Sequence, residues 1–189
     1  MADSDTENNS EITTMKLKTL LYYFEPSSFV PNSIYPVIHY RYGFPVHRLT
    51  AEMISARFKE NHWDEKWRYG MYYKSHYHST THEALGVIRG QAHILLGRSD
   101  AEPPNKQMRK KSVIAVQKGD VLVIPAGVAH RCLKDEGGFL MVGAYPEGAE
   151  EWDMNYGSNE ESKRVINVAV PEWDPLLGMS EEGLAGLWR

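Results

Sequence analysis

GMYYKSHYHSTTHEALGVIRG, running from Gly70 to Gly90, places His76, His78 and Glu83 within eight residues, and His130 answers it further along the chain. Residues two apart on a strand project to the same face, so His76 and His78 point one way. Ser79-Thr80-Thr81-His82 then forms a polar turn. Such a turn brings the next strand back antiparallel and sets the Glu83 carboxylate opposite the two imidazoles. His130 follows Pro125-Ala126-Gly127-Val128-Ala129, a tight turn leading out of an apolar strand. A fourth donor from a neighbouring strand closes one side of a site.

Three neutral imidazoles and one carboxylate suit a single divalent transition metal: Fe, Mn, Ni, Co or Zn. An octahedral ion on four protein donors keeps two cis positions for water, O2 or a chelating substrate. One carboxylate against a divalent ion leaves a charge of about +1, which favours an anionic or enolisable oxygen ligand.

Outward from this stretch the chain reads as short strands. Candidates are Trp67–Tyr77, Glu83–Arg89, Gln91–Leu96, Ser112–Gln117, Asp120–Ile124, His130–Leu133, Phe139–Ala144 and Arg164–Val170, with Gly, Pro or Asp between most of them. Regularly spaced strands with turn signals predict an all-β sandwich or closed barrel rather than a parallel α/β sheet. Upstream, residues 16–24 read as a first strand or a short docked segment, and Val37–Tyr42 as a strand. Thr50 is an N-cap for one helix from Ala51 to about Asn61, with Ile54 and Phe58 on one face. The tail from Pro171 carries Trp173, Leu176, Leu177, Leu184, Leu187 and Trp188, too apolar for a free end. It is expected to pack on the domain or on a second subunit.

A length of 189 residues suits one domain with a sizeable core. Residues 1–15 have the composition of a disordered acidic tail, and residues 16–189 form the single domain, its metal-site core at 67–145. The net charge of −4, with mixed signs, gives no sign of nucleic acid or an anionic membrane as partner. The one basic cluster, Lys106 to Lys111 with Arg109, reads as a solvated loop. A single cysteine, Cys132, excludes an intramolecular disulfide and fits a reducing compartment. The N-terminus has neither a signal-peptide h-region nor an Arg-rich presequence, so the expected location is cytoplasmic.

The spacings Gly70-x5-His76-x-His78-x4-Glu83-x6-Gly90 and Gly119-x5-Pro125-x-Gly127-x2-His130 resemble the two signature motifs of the cupin superfamily. The resemblance implies a single jelly-roll barrel, often dimeric, with His76, His78, Glu83 and His130 as metal ligands. It departs from the pattern at Lys134, where the second motif often has Asn; that position is not a ligand. The flanking segments, including GAYPEG and the Asp-Pro…Leu-Trp terminus, are similar to small single-barrel microbial cupins.

His82 neighbours Glu83 and is expected on the opposite face of a regular strand, as a supporting or surface residue. Lys74 and Tyr72 share parity with His76 and His78 on such a strand. Lys74 is therefore a candidate to bind a substrate carboxylate or act as an acid, weighed against a residue at the barrel mouth reaching solvent. Cys132 reads as a small buried apolar residue. The aromatics Trp63, Trp67, Tyr69, Tyr72, Tyr73 and Tyr77 read mainly as packing, with one or two cavity walls among them. The expected function is a mononuclear metal-dependent enzyme acting on a small oxygen-rich substrate chelated to the metal, foremost an oxidoreductase of dioxygenase type. The alternatives are an O2-independent decarboxylase, isomerase or lyase on the same site, and a non-catalytic binding or sensing module. The partners expected are a small-molecule substrate and a second copy of the chain.

Overall fold

The computed structural model describes residues 16–103, 112–157 and 165–189. The expected N-terminal tail and the Lys106–Lys111 cluster lie outside the described residues.

The expected all-β jelly roll is what the chain forms. In order, the elements are β1 (Lys18–Phe24), β2 (Ser33–Arg41), α1 (Ala51–Glu60), β3 (Trp63–Tyr69), β4 (Glu83–Leu96), β5 (Val113–Gln117), β6 (Val121–Ile124), β7 (His130–Pro146) and a last helical turn, α2 (Leu184–Leu187). The strands pair antiparallel in the order β1-β2-β6-β4-β7-β3, with β5 added to β4. Two expected strand pairs merge into single long strands. Gly90, at φ +72°, lies at a register shift inside β4, and Gly137 and Gly138, at φ +70° and +64°, lie within β7. These glycines bend a continuous ladder where isolated turns were expected. Val165–Asn167 is a 3-10 turn where a strand was expected.

Strand alternation divides the apolar side chains between two layers. Val37, Leu85, Leu122, Ile124 and Met141 face the barrel interior. Their neighbours Ile38, Ala84, Val121, Val123 and Val142 face outward, into a second core with α1 and the C-terminal segment. The sheet is therefore covered on both faces, which explains why Val121–Ile124 is apolar at every position.

Helix α1 starts where Thr50 accepts a hydrogen bond from the Met53 N–H, and it buries Ile54 and Phe58. It comes close because Gly86 lies beneath it: a Cβ there would sit 2.5 Å from Ile54 Cγ2.

The C-terminal segment packs on its own chain. Trp188 Nε1 donates to the Pro36 carbonyl at 2.9 Å and its ring stacks on Tyr35. Trp63 Nε1 donates to the Trp173 carbonyl at 2.8 Å. The fully buried Asp174 fixes the segment, its Oδ1 accepting from the Leu176 and Leu177 N–H groups and its Oδ2 from the Tyr40 hydroxyl and the Leu184 N–H. No helix among the described residues is long and apolar enough to cross a membrane.

Candidate metal centre

The segment carrying the two close histidines is not a continuation of β3, which ends at Tyr69. Bends occupy 73–74, and Ser75 is tied by its N–H to Asp100 Oδ2 at 2.9 Å. The chain becomes extended again only at His76 and Tyr77. There His76 exchanges both backbone hydrogen bonds with His130 (3.2 and 2.8 Å), and Tyr77 does the same with Asn155 (2.9 and 3.0 Å). The Gly127 N–H donates to the His78 carbonyl at 2.8 Å, binding the second motif's turn to the first. These ladders put His76 and His78 on one face and bring His130 beside them, with the His76 and His130 ring centroids 4.4 Å apart.

The proton positions follow from what each ring touches. Nδ1 of His76 lies 3.1 Å from the Lys74 carbonyl, that of His78 2.5 Å from the Asp153 carbonyl, and that of His130 3.1 Å from the Val128 carbonyl. A carbonyl oxygen only accepts, so each Nδ1 carries the hydrogen, which leaves Nε2 as the atom each ring can offer to an ion. One ring nitrogen of each histidine lies within 4.8 Å of those of the other two, and all three residues are buried.

Glu83 borders this triplet. Its Oε1 lies 3.4 Å from His78 Nε2 and its Oε2 3.1 Å from His130 Nε2. The Tyr145 hydroxyl donates to Oε1 at 2.7 Å and in turn accepts from Trp67 Nε1 at 3.1 Å. His78 Nε2 and Glu83 Oε2 are buried without an aligned hydrogen-bond partner. Unpaired acceptors gathered in one buried place fit a cation in their midst.

Electrostatics point the same way. Burial pushes the His76 imidazole down to about 3, helped by His130 and His78, so it stays neutral and available as a ligand. Burial alone would raise the Glu83 carboxyl, but the His78 and His130 imidazoles overcome it and hold the group well below its ordinary range. Burial opposes charge on His78 too, yet the Glu83 carboxylate lifts its affinity for a proton. An ionised carboxylate in this setting calls for a positive partner.

The site opens into a cavity of about 370 Å³ lined by the three histidines and Glu83 together with Trp67, Tyr72, Tyr145 and Trp152. Trp67 lies flat against β7 because Gly143 is beneath it; a methyl group there would run into the indole. A larger, more open cleft of about 690 Å³ lies beside His82, Pro146 and Val168, and none of the three clustered histidines lines it.

Lys74, His82 and Cys132 fall outside the cavity. Lys74 is exposed, with its ammonium 3.7 Å from the centre of the Tyr156 ring, and it does not line the cavity. Its parity with His76 assumed an unbroken strand, which the bends at 73–74 interrupt. His82 points to the outer layer, its ring 4.9 Å from that of Trp188, and Nδ1 accepts from the Ala126 N–H at 2.9 Å. Cys132 is buried in the interior core. Trp63 and Tyr77 are packed elsewhere, whereas Trp67, Tyr69 and Tyr72 line the cavity.

Sequence reading passed over Tyr145, Trp152 and Asp153. The alternation Met141, Gly143, Tyr145 along β7 would have placed Tyr145 inward had the register against β4 been visible. Asp153 reaches the site only because residues 149–157 fold back. Its carboxylate accepts from the Ser79 N–H at 2.6 Å and from Asn155 Nδ2 at 2.8 Å, while its carbonyl orients His78.

His82 carries a stability prediction. Burial lowers its imidazole to about 4, against an ordinary value of 6.5. The folded state excludes a proton that the unfolded chain accepts, so this contribution is complete above pH 6.5 and is lost as pH falls towards 4. At about 1.4 kcal/mol per pH unit, the loss comes to about 3 kcal/mol. Urea unfolding of metal-free protein at a series of pH values should show this slope, and His82→Phe should flatten it. Identical slopes in the two proteins would contradict a buried neutral His82.

A family model described as Cupin matches residues 68–159. The chain is also 32% identical over 179 residues to the uncharacterized protein YjlB of Bacillus subtilis strain 168, an alignment spanning 92% of this chain and 99% of the relative.

Proposed function

We propose, for a chain that belongs to the cupin superfamily and carries a buried three-histidine cluster, that it is a mononuclear metal-dependent oxidoreductase of the dioxygenase type. His76, His78 and His130 hold the ion through Nε2, and Glu83 supplies the fourth donor. The observation that supports a metal held here is the set of three Nδ1–carbonyl contacts, which turn every Nε2 away from the backbone. When bound, the metal supplies a Lewis-acid and redox centre with open positions for substrate oxygens and O2.

The chain's own residues orient and seclude. The carbonyls of Lys74, Val128 and Asp153 fix the ring tautomers, and Tyr145 steadies the Glu83 carboxylate. Trp67, Tyr145 and Trp152 wall the cavity with aromatic rings beside the ligands.

Oxygen chemistry is favoured over isomerisation or lyase chemistry by what the wall lacks. Proton-transfer catalysis needs an acid or base free of the metal. Apart from the four proposed ligands, the ionisable groups lining the cavity among the described residues are Arg68, Tyr145 and, more than half exposed, Tyr69 and Tyr72. Arg68 is engaged by Glu52 and Glu65, and burial together with the Glu83 carboxylate pushes the Tyr145 hydroxyl well above its ordinary range. Lys74 is given no role.

The test is oxygen uptake by iron-loaded protein against a panel of diketones, keto acids and sugars. The expected result is substrate loss in step with O2 consumption, with both atoms of labelled O2 in the products. Equal turnover without oxygen would replace this reading with the lyase or isomerase one.

A further inference from the structure

We propose that the cavity takes a neutral, flat, aromatic or conjugated molecule that presents its chelating oxygens at one edge, and not a sugar, a phosphate ester or a polycarboxylate. The proposal rests on the preceding reading in one respect, that oxygens of the substrate meet the ion held by the histidines.

The wall offers ring faces where a polar substrate would need donors. Tyr145 and Trp152 stack with centroids 4.8 Å apart and only 3° between planes, a fixed pair of parallel rings in the cavity wall. The polar atom of Trp67 is already used, its Nε1 donating to the Tyr145 hydroxyl, so its indole contributes a face. The hydroxyl of Tyr145 is committed to Glu83. Met71 and Met154 complete the lining with polarizable thioethers that adapt to a flat body. At the mouth, Tyr69 and Tyr72 lie 5.8 Å apart and are both more than half exposed, a rim of rings around the entrance.

The charge pattern excludes the competitors. Arg68 is the one Lys or Arg of the lining among the described residues, and its guanidinium contacts go to carboxylates: Nε to Glu65 at 2.6 Å, Nη2 to Glu65 at 3.2 Å and Nη1 to Glu52 at 2.6 Å. A phosphate or second carboxylate away from the ion would enter the cavity with no unpaired cation to meet it. No Asn, Gln, Asp, Ser, Thr or Lys lines the cavity among the described residues, so a sugar's hydroxyls would lose water and gain few partners. About 370 Å³ is within the range of small-molecule sites, with room for one or two fused rings. The polar end is the histidine cluster, so the substrate's oxygens face inward and its ring lies along Trp152.

Two 1,3-diketones separate the ring from the chelate: 1-phenylbutane-1,3-dione and pentane-2,4-dione carry the same oxygen pair and differ by a phenyl group. Binding is measured on zinc-loaded full-length protein by calorimetry and tryptophan fluorescence, with gluconate and glucose 6-phosphate as polar comparisons. The phenyl compound should bind at least about tenfold more tightly than pentanedione, as expected for removing a ring-sized apolar surface from water. Trp152→Ala should abolish that preference and Trp152→Phe, which keeps a ring, should restore most of it. Equal affinity for the two diketones, or tighter binding of gluconate or glucose 6-phosphate, overturns the proposal. Failure of both diketones to bind zinc-loaded protein overturns the chelation reading and this inference with it, an outcome distinct from loss of the preference alone.

Discussion

Replacing His76 by alanine is expected to strip the bound metal from the protein while leaving the barrel folded. Among the three clustered imidazoles, His76 is the one for which no contact with Glu83 is seen, whereas His78 and His130 both border the carboxylate. Removing either of those leaves a buried ionised group short of its partner, a defect that costs about 3–5 kcal/mol. His76 is instead held neutral by burial and by repulsion from the other two rings, so its loss leaves no charge uncompensated. Losing a hydrogen bond that only supports a ligand lowers metal affinity by about tenfold to a hundredfold. Losing the ligand itself should exceed about a hundredfold. Metal analysis of purified His76→Ala should find a small fraction of the wild-type content, with circular dichroism and a melting transition like those of metal-free wild type. A variant that keeps its full metal complement would show that the ion sits elsewhere.

The second large effect lies at the opposite side of the sheet. Asp174→Ala removes a fully buried carboxylate that accepts from the Tyr40 hydroxyl and from three backbone N–H groups. Each donor left buried and unpaired costs about 1–3 kcal/mol, partly relieved by water entering the gap. A net loss of about 4 kcal/mol is expected in urea unfolding, with the C-terminal segment becoming sensitive to protease first. Asp174→Asn should fall between the two, because one side-chain oxygen still serves Leu176 and Leu177 while the amide group cannot accept from Tyr40. Wild-type stability in Asp174→Ala would mean that apolar packing of Leu176, Leu184 and Trp188 suffices to hold the segment.

The histidine cluster was more legible than its surroundings, and the reason is local. Two-residue spacing fixes the relative direction of His76 and His78 wherever the backbone is extended, and turn residues before Glu83 and His130 fix how the next strands start. The same parity argument correctly turned His82 outward, onto Trp188. It misdirected Lys74, because the bends at 73–74 break the alternation on which its parity with His76 depended. Long-range features were illegible for a different reason. Tyr145 meets Glu83 through the register of β7 on β4, and Asp153 meets His78 through a loop returning from beyond β7. Neither relation leaves a periodic trace in the sequence. Gly90 and Gly138 show the limit of reading glycine as punctuation: a positive φ ends a strand at one place and bends a continuous one at another. Asp174 announces itself only as a lone carboxylate in an apolar tail, and its four donors come from positions as far apart as Tyr40 and Leu184.

The central claim is that three imidazoles share one ion through Nε2, and it is tested most directly by following the ring nitrogens of ¹⁵N-histidine-labelled protein as metal-free chain is titrated with zinc. The predicted result is saturation at one zinc per chain, with the Nε2 signals of His76, His78 and His130 shifting together. Their Nδ1 hydrogens should persist, and His82 should stay unmoved. Saturation without change at those three rings, or with coordination through Nδ1, would contradict it.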